Sequence, residues 1–147
     1  MNLKHGLEMS ADTIIARKEV SYLKRLPEVR PIAGVVAHAK LMHGEIPLGV
    51  VSGSPRESVI HSLELLGLRD LFQIIVGGDD TERGKPHPDS FLLAAKFLGV
   101  RPEDCLVFED GEMGIQAASA AGMAWVKVER NGGASAPTET LDRSSNE

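Results

Sequence analysis

The chain has 147 residues, of which 42% are hydrophobic and 25% are charged, as in an ordinary globular domain with one core. Its formal net charge of −5, without a cluster of Lys or Arg, argues against a nucleic-acid surface. The single cysteine excludes an intramolecular disulfide, no apolar run approaches the roughly 18 residues that span a bilayer, and the N-terminus lacks the apolar segment of a signal peptide. We therefore expect a cytoplasmic protein without a membrane partner.

Two helices are predicted at the start of the chain. Apolar residues at helical spacing predict the first over residues 12–26, and Pro27 ends it. The second is predicted from Pro31 to about residue 43, because proline suits the first helical position and Gly44 suits the left-handed position after the end.

Strands and helices alternate from residue 48 onward. Short apolar runs predict strands at residues 48–51, 72–76, 105–108 and 125–128. Helices are predicted between them at residues 54–66, 88–98 and 111–121, with Ser54 capping the first and Glu57 completing a capping box. This alternation predicts parallel strands joined by right-handed crossovers, and therefore a doubly wound α/β sheet. Residues 131–147 have almost nothing to bury and are predicted to form a mobile tail.

The first predicted strand ends at the sequence Ser52-Gly53-Ser54. The hydroxyl of Ser52 and the N–H of Gly53 suit an anion bound at the N-terminus of the next helix. The alternative is that the serines only cap that helix. We expect the capping role for Ser54, and we take Ser52 as the candidate for anion binding.

Lys85 lies in a proline-rich loop before the helix predicted at residues 88–98. Pro86 and Pro88 restrict the backbone of this loop, so the lysine can present a fixed positive charge to a phosphate. A solvated surface lysine is the alternative, but the Lys-Pro-x-Pro sequence favours the functional interpretation. His87 is interpreted as a polar residue at the helix start.

Two adjacent carboxylates, Glu109 and Asp110, follow the strand predicted at residues 105–108. Open α/β sheets bind ligands at the carboxyl ends of their strands, and Mg²⁺ is usually held by one or two carboxylates together with substrate phosphate. For this pair alone, two solvated acids are an equal alternative. Together with Ser52 and Lys85 near the same edge, the pair is typical of a phosphate-and-magnesium site.

Three segments resemble the second, third and fourth motifs of the haloacid-dehalogenase-like (HAD) phosphohydrolases: VVSGSPRE, GKPHPDSFLLAA and CLVFEDGEMGIQAASAAGM. The closest resemblance is to the β-phosphoglucomutase-like and sugar-phosphatase branch, over residues 17–129. It implies a phosphate site at Ser52, the N–H of Gly53 and Lys85, with Lys85 also acting on the nucleophile. It further implies Mg²⁺ as cofactor, with Glu109 and Asp110 as its ligands.

The resemblance also implies a division of the chain. Residues 1–30 resemble a remnant of the family's helical cap with its linker, residues 31–130 resemble the Rossmann-like HAD core, and residues 131–147 form the tail. The expected substrate is a small phosphorylated metabolite of the sugar-phosphate class. Its identity cannot be read from this sequence, because the cap supplies much of the specificity in this family.

One part of the family's site is missing from this sequence. The family uses an aspartate nucleophile in an Asp-x-Asp-Gly-Thr segment on a central first strand, and this aspartate takes the phosphoryl group as an aspartyl-phosphate. None of the aspartates in this chain is followed by another two residues later. The resemblance therefore implies a truncated relative without the first strand and most of the cap. We expect the chain by itself to be inactive or nearly so, and to bind Mg²⁺ weakly.

A missing central strand would leave its neighbours with unpaired backbone groups, which are costly to bury. Three remedies are open: direct pairing of the flanking strands, a substitute from residues 3–9, or a second copy in a homodimer. The alternative function is a non-catalytic module that binds phosphate or acts through a partner. A receiver-type signalling domain is disfavoured, because in that family the acids come first and the lysine last.

Overall fold

The computed structural model describes residues 30–130. In chain order it contains α1 (Ala33–Met42), β1 (Gly49–Val51), α2 (Arg56–Leu65), β2 (Ile74–Val76), α3 (Asp89–Leu98), β3 (Leu106–Glu109), α4 (Glu112–Ala120) and β4 (Ala124–Lys127). Short 3₁₀ turns at Arg69–Leu71 and Pro102–Asp104 precede β2 and β3. The helix predicted at 12–26, the substitute strand considered at 3–9 and the tail at 131–147 lie outside the described residues.

The helices and strands predicted between residues 31 and 128 are confirmed, with small shifts at their ends. Helix α1 begins at Ala33, after Pro31 rather than at it, and Gly44 follows its end with a φ of 86°. Gly99 ends α3 in the left-handed region with a φ of 68°. Glycine enters this region without a steric penalty, which explains why these helices stop where the sequence predicted.

The prediction that Ser54 caps α2 is wrong. The residue before this helix is Pro55, no side chain caps the helix from that position, and the capping box with Glu57 does not form. The backbone N–H of Ser54 donates to Oγ of Ser52 at 3.1 Å. The N–H of Arg56, the first helical residue, donates to Oδ1 of Asp79 at 2.7 Å. The first backbone N–H of α2 therefore has its hydrogen-bond acceptor in the loop that follows β2.

The four strands form two parallel pairs. β1 pairs with β2 from Gly49 opposite Ile74, and β3 pairs with β4 from Leu106 opposite Ala124. This parallel pairing, with a helix between successive strands, confirms the predicted α/β class. Among residues 30–130 no ladder joins β1 to β3, so direct pairing of these two strands is not the arrangement adopted. Each of them has one edge without a strand partner in this part of the chain.

One apolar cluster connects the two strand pairs. Helix α3 packs on β1 and β2 and touches α4, which packs on β3 and β4. The buried members of the cluster come from these helices and the turn after α4: Phe91, Ala95, Ala117, Ala118, Ala121 and Met123. Partly buried residues from the strands and the turn before β3 pack against them: Val51, Cys105, Val107 and Trp125. This packing links the carboxyl end of β1 to the pair that carries the two acids. Of the helices described, none is long and apolar enough to cross a membrane.

Candidate active site

Lys85 and Glu109 are in direct contact. The ammonium nitrogen of Lys85 lies 2.8 Å from Oε2 of Glu109, and the two side chains are 19% and 13% exposed. The same nitrogen lies 5.1 Å from the centre of the Phe91 ring, so the lysine also makes a cation–π contact. A charge-assisted hydrogen bond with so little water around it holds the lysine head in one place.

The loop that carries Lys85 is closed by an ion pair across its base. Arg83 contacts Asp89 with two parallel bonds, from Nε to Oδ2 at 3.0 Å and from Nη2 to Oδ1 at 2.8 Å. Inside the loop, the N–H of His87 donates to the carbonyl of Gly84 at 3.0 Å. The peptide bond from Lys85 to Pro86 is cis. Contacts within the loop therefore stabilise it, and His87 contributes through its backbone N–H.

The carboxylate of Glu109 lies at the start of α4. Its Oε1 accepts hydrogen bonds from the backbone N–H groups of Asp110 and Gly111, both at 3.2 Å. The positive end of the helix dipole favours a negative charge at this point. Glu109 therefore links the N-terminus of α4 to the loop at residues 84–88 that carries Lys85, the lysine loop.

Asp110, the second acid, is paired with Arg130. The Nε atom of Arg130 donates to Oδ2 of Asp110 in a short contact. This hydrogen bond lowers the pKa of the Asp110 carboxyl below its ordinary value and outweighs the opposing effect of partial burial. Asp110 is therefore ionised at neutral pH, as a ligand of a cation must be.

Ser52 follows the end of β1, where its N–H donates to the carbonyl of Val76 at 2.9 Å. Its Oγ accepts the N–H of Ser54, which leaves the hydroxyl hydrogen able to donate to another group. Gly53 is exposed, and a Cβ built on it would meet nothing within 4 Å. The segment Ser52-Gly53-Ser54 is therefore open to an incoming group. No hydrogen bond or ion pair in the described chain joins this segment to Lys85 or Glu109.

Two acids that the sequence interpretation left without a role stabilise the start of α2 and the loop that follows β2. Oδ1 of Asp79 accepts the N–H of Arg56 in α2, and Oδ2 of Asp80 accepts the N–H of Gly77 at 2.8 Å. Gly78 donates to the carbonyl of Ser54 at 2.8 Å, and a side chain at Gly78 would overlap the backbone of Gly53. The adjacent sequence Gly-Gly-Asp-Asp was the available signal, because glycines permit close backbone approach and aspartates cap helices.

A family model for the haloacid dehalogenase-like hydrolases matches residues 2–122. The chain belongs to the haloacid dehalogenase-like hydrolases. The match begins further toward the N-terminus than the resemblance read from the motifs, which started at residue 17. The resemblance to the sugar-phosphatase and β-phosphoglucomutase branch of the family is confirmed by the individual relatives.

Curated relatives of this HAD-family chain include several phosphatases. The fructose-1-phosphate phosphatase YqaB of Escherichia coli is 46% identical over 101 residues, which are 69% of this chain and 52% of that protein. The validoxylamine A 7'-phosphate phosphatase of Streptomyces hygroscopicus is 36% identical over 118 residues, 78% of this chain and 54% of that protein. The chain thus spans about half the length of these relatives.

Solved structures of HAD proteins share the fold. A putative β-phosphoglucomutase from Thermotoga maritima superposes with a TM-score of 0.65 and 28% identity, over 87% of this chain and 62% of that one. A mutant of CbbY from Rhodobacter sphaeroides, in complex with xylulose-1,5-bisphosphate, superposes with a TM-score of 0.66 and 30% identity, over 80% of this chain and 54% of that one. These likenesses confirm the HAD-like α/β fold.

The donor chemistry around Glu109 and Asp110 fits a hard cation such as Mg²⁺, which takes oxygen ligands. A carboxylate has about four acceptor positions, and Glu109 uses three of them, two on Oε1 and one on Oε2. One position on Oε2 is left, and Asp110 pairs with the exposed side chain of Arg130. Both carboxylates can therefore contribute to a metal site, but within residues 30–130 no group of three or more potential metal ligands is present.

Proposed function

We propose that the chain carries the phosphate- and magnesium-binding part of a HAD-type phosphatase or phosphomutase site. The observation that carries this proposal is the ion pair between Lys85 and Glu109, 2.8 Å long and mostly shielded from water. A lysine fixed in this way beside the two acids has the chemistry to bind a phosphate whose charge is shared with a cation.

The residues divide into two groups in this proposal. The hydroxyl of Ser52, the N–H of Gly53 and the ammonium of Lys85 donate hydrogen bonds to phosphate oxygens. Glu109 and Asp110 would hold Mg²⁺, which would supply positive charge next to the phosphoryl group. Lys85 would also neutralise a nucleophile next to the phosphate. The order of these groups along the chain supports the assignment, because each follows a strand or precedes a helix of the same parallel α/β core.

The names of the relatives support a proposal for the substrate class. One is a fructose-1-phosphate phosphatase, another superposable protein is a putative β-phosphoglucomutase, and a third binds xylulose-1,5-bisphosphate. We propose small phosphorylated sugars as the class of ligand for this chain. We further propose that the protein is cytoplasmic, where such metabolites occur.

The 147-residue chain by itself is proposed to turn over substrate slowly or not at all. The family's reaction requires a nucleophilic aspartate in an Asp-x-Asp segment, and these 147 residues contain no such segment. We therefore expect the chain to bind phosphate and its hydrolysis of phosphate esters to stay at background.

Binding and hydrolysis of phosphate esters test these two statements separately. Isothermal titration with inorganic phosphate in the presence of Mg²⁺ should detect binding to the wild-type chain and to Lys96→Met, which changes an exposed lysine of α3. Lys85→Met should abolish it; equal binding by Lys85→Met would refute the site. Hydrolysis of an aryl phosphate with Mg²⁺ should stay at background. Robust turnover that Asp110→Asn abolishes would refute the inactive part of the proposal.

A non-catalytic phosphate-binding or interaction module, formed as a homodimer, is the second candidate. It is favoured by the unpaired edges of β1 and β3 within the described chain and by the fact that Glu109 and Asp110 already hold protein cations. A second copy could cover those edges. Native mass spectrometry decides this: a dimer supports the second candidate, and a monomer at the same concentration as the binding experiment contradicts the dimer.

A further inference from the structure

Gly114 is the third residue of α4 and is buried against the carboxylate of Glu109. A Cβ built on Gly114 would overlap three side-chain atoms of Glu109, namely Cγ, Cδ and Oε2. Oε2 is the atom that accepts the hydrogen bond from Lys85. The space that a side chain at position 114 would fill is therefore already taken by the group that holds the lysine.

Among the described glycines, only a Cβ at Gly114 would overlap the Glu109 side chain. Gly111 contacts the same carboxylate, but a Cβ there would lie 3.6 Å from Oε1 of Glu109, which is an ordinary van der Waals distance. Gly34, inside α1, would meet nothing within 4 Å. A glycine inside a helix is unfavourable relative to alanine, so its use at position 114 calls for a reason other than helix formation.

We infer that Gly114 is a positioning residue, whose missing side chain lets Glu109 lie against α4 and hold Lys85 toward the site. Glu109 is fixed from two sides, by the backbone N–H groups of Asp110 and Gly111 and by the open face of the helix at Gly114. A larger residue at 114 pushes the carboxylate away from the lysine. The consequence for phosphate handling rests on the proposed function, whereas the placement of Lys85 by Gly114 and Glu109 does not.

The simpler explanation is that Gly114 only allows close packing of α4 on the strands. The two explanations differ in what the added methyl group meets. If it meets the backbone, Gly114→Ala harms the protein whatever residue stands at 109. If it meets the Glu109 side chain, the harm disappears once that side chain is shortened to alanine.

A double-mutant cycle between positions 114 and 109 tests the inference on the full chain, without metal or phosphate. We expect Gly114→Ala to lower the folding equilibrium constant about tenfold or more, as overpacking does. Glu109→Ala/Gly114→Ala should be as stable as Glu109→Ala alone. Gly34→Ala and Gly111→Ala should not show a loss of this size. An equal loss in both backgrounds would overturn the inference. Should Gly114→Ala fail to fold, the comparison within the Glu109→Ala background decides alone.

The accessibility of the Lys85 amine is a second readout. It would not change if Gly114 only allowed close packing of α4. Acetylation of Lys85 by a limiting reagent, followed by peptide mass spectrometry, reports how accessible its amine is, with exposed Lys96 as internal reference. In folded Gly114→Ala we expect the Lys85 rate to rise about fivefold, the factor that corresponds to loss of a hydrogen bond of about 1 kcal/mol. An unchanged rate in the folded variant would overturn the inference. A failure of phosphate binding, by contrast, would count against the proposed function only.

Discussion

The ammonium group of Lys85 contacts the carboxylate of Glu109 across 24 positions of sequence. Lys85 belongs to the loop before α3, which packs on the first strand pair, and Glu109 ends β3 in the second pair. The contact therefore joins the two halves of the described structure at the edge where the candidate site lies. Water screens it less than a surface ion pair, because both side chains are mostly buried.

Glu109→Gln tests how strongly this contact holds the two halves together. The substitution keeps the shape of the side chain but leaves the lysine without its counter-charge in a poorly hydrated place. We expect a loss of about 2 kcal/mol in the free energy of unfolding, between the values for a lost hydrogen bond and a broken buried pair. Urea unfolding monitored through the single tryptophan, Trp125, measures it.

Lys85→Met completes the comparison for this pair. The double variant Lys85→Met/Glu109→Gln leaves no unpaired charge, so it should be more stable than the sum of the single losses predicts, by about 1 kcal/mol or more. Additive losses would contradict an energetic coupling between the two side chains. Arg101→Gln, which removes exposed ion pairs with Glu103 and Asp104, is the control and should behave nearly like the wild type.

The pair of Asp110 with Arg130 predicts a dependence of stability on pH. The hydrogen bond from Arg130 lowers the folded-state pKa of Asp110, so its contribution to stability is complete above the pKa of the unfolded carboxyl, about 4. The contribution is lost as the pH falls through the lower folded-state pKa. We expect Arg130→Gln to be less stable than the wild type at pH 7 and equally stable in strong acid. Carboxyl carbon NMR should show the pKa of Asp110 raised in the variant.

An opposite trend, with the two proteins diverging in acid, would contradict the assigned direction of the pKa shift. The matched control is Arg69→Gln, since within residues 30–130 the side chain of Arg69 bonds a backbone carbonyl, that of Phe72 at 3.0 Å, and pairs with no carboxylate. Its loss removes a hydrogen bond without removing a carboxylate partner. The difference between Arg69→Gln and the wild type should therefore not vanish in acid as that of Arg130→Gln does.

The sequence was sufficient for the features that depend on local pattern. Strands β1 to β4 coincide with short apolar runs, and Gly44 and Gly99 come just after the ends of α1 and α3. Both signals act within a few residues, so the sequence alone reveals them. Motif order was also sufficient to single out Lys85 and Glu109. Their direct contact required the structure, because it depends on how the lysine loop packs against the end of β3.

The features that the sequence interpretation missed depend on partners that lie far apart in the chain. Ser54 had the local chemistry of a helix cap, but Asp79 reached the first N–H of α2 from 23 positions away. Arg130 was not singled out, although it pairs with Asp110 from 20 positions away. Tertiary contacts of this kind override local preference, and no periodic pattern indicates them.

Asp79→Ala tests the cap that comes from outside the helix. Removing the carboxylate leaves the N–H of Arg56 without its partner, and we expect a loss of about 1 kcal/mol in the free energy of unfolding, as for other helix caps. Asp79→Asn keeps an oxygen at the bonding position and should lose only a fraction of this. Asp70→Ala removes an exposed aspartate from a 3₁₀ turn and should have little effect. Equal losses for the alanine and asparagine variants would contradict the capping role.

Arg83→Gln tests whether the ion pair with Asp89 keeps the lysine loop closed. Arg83 is 61% exposed, so we expect almost no change in global stability. The local effect should be larger, because the two parallel bonds join the residues on either side of the loop. Hydrogen exchange at the N–H of His87, which donates to Gly84 inside the loop, should become faster in the variant, while exchange at Val59 in α2 stays the same. Unchanged exchange at His87 would mean that the loop is held by its own backbone and by the bond between Lys85 and Glu109, without help from Arg83.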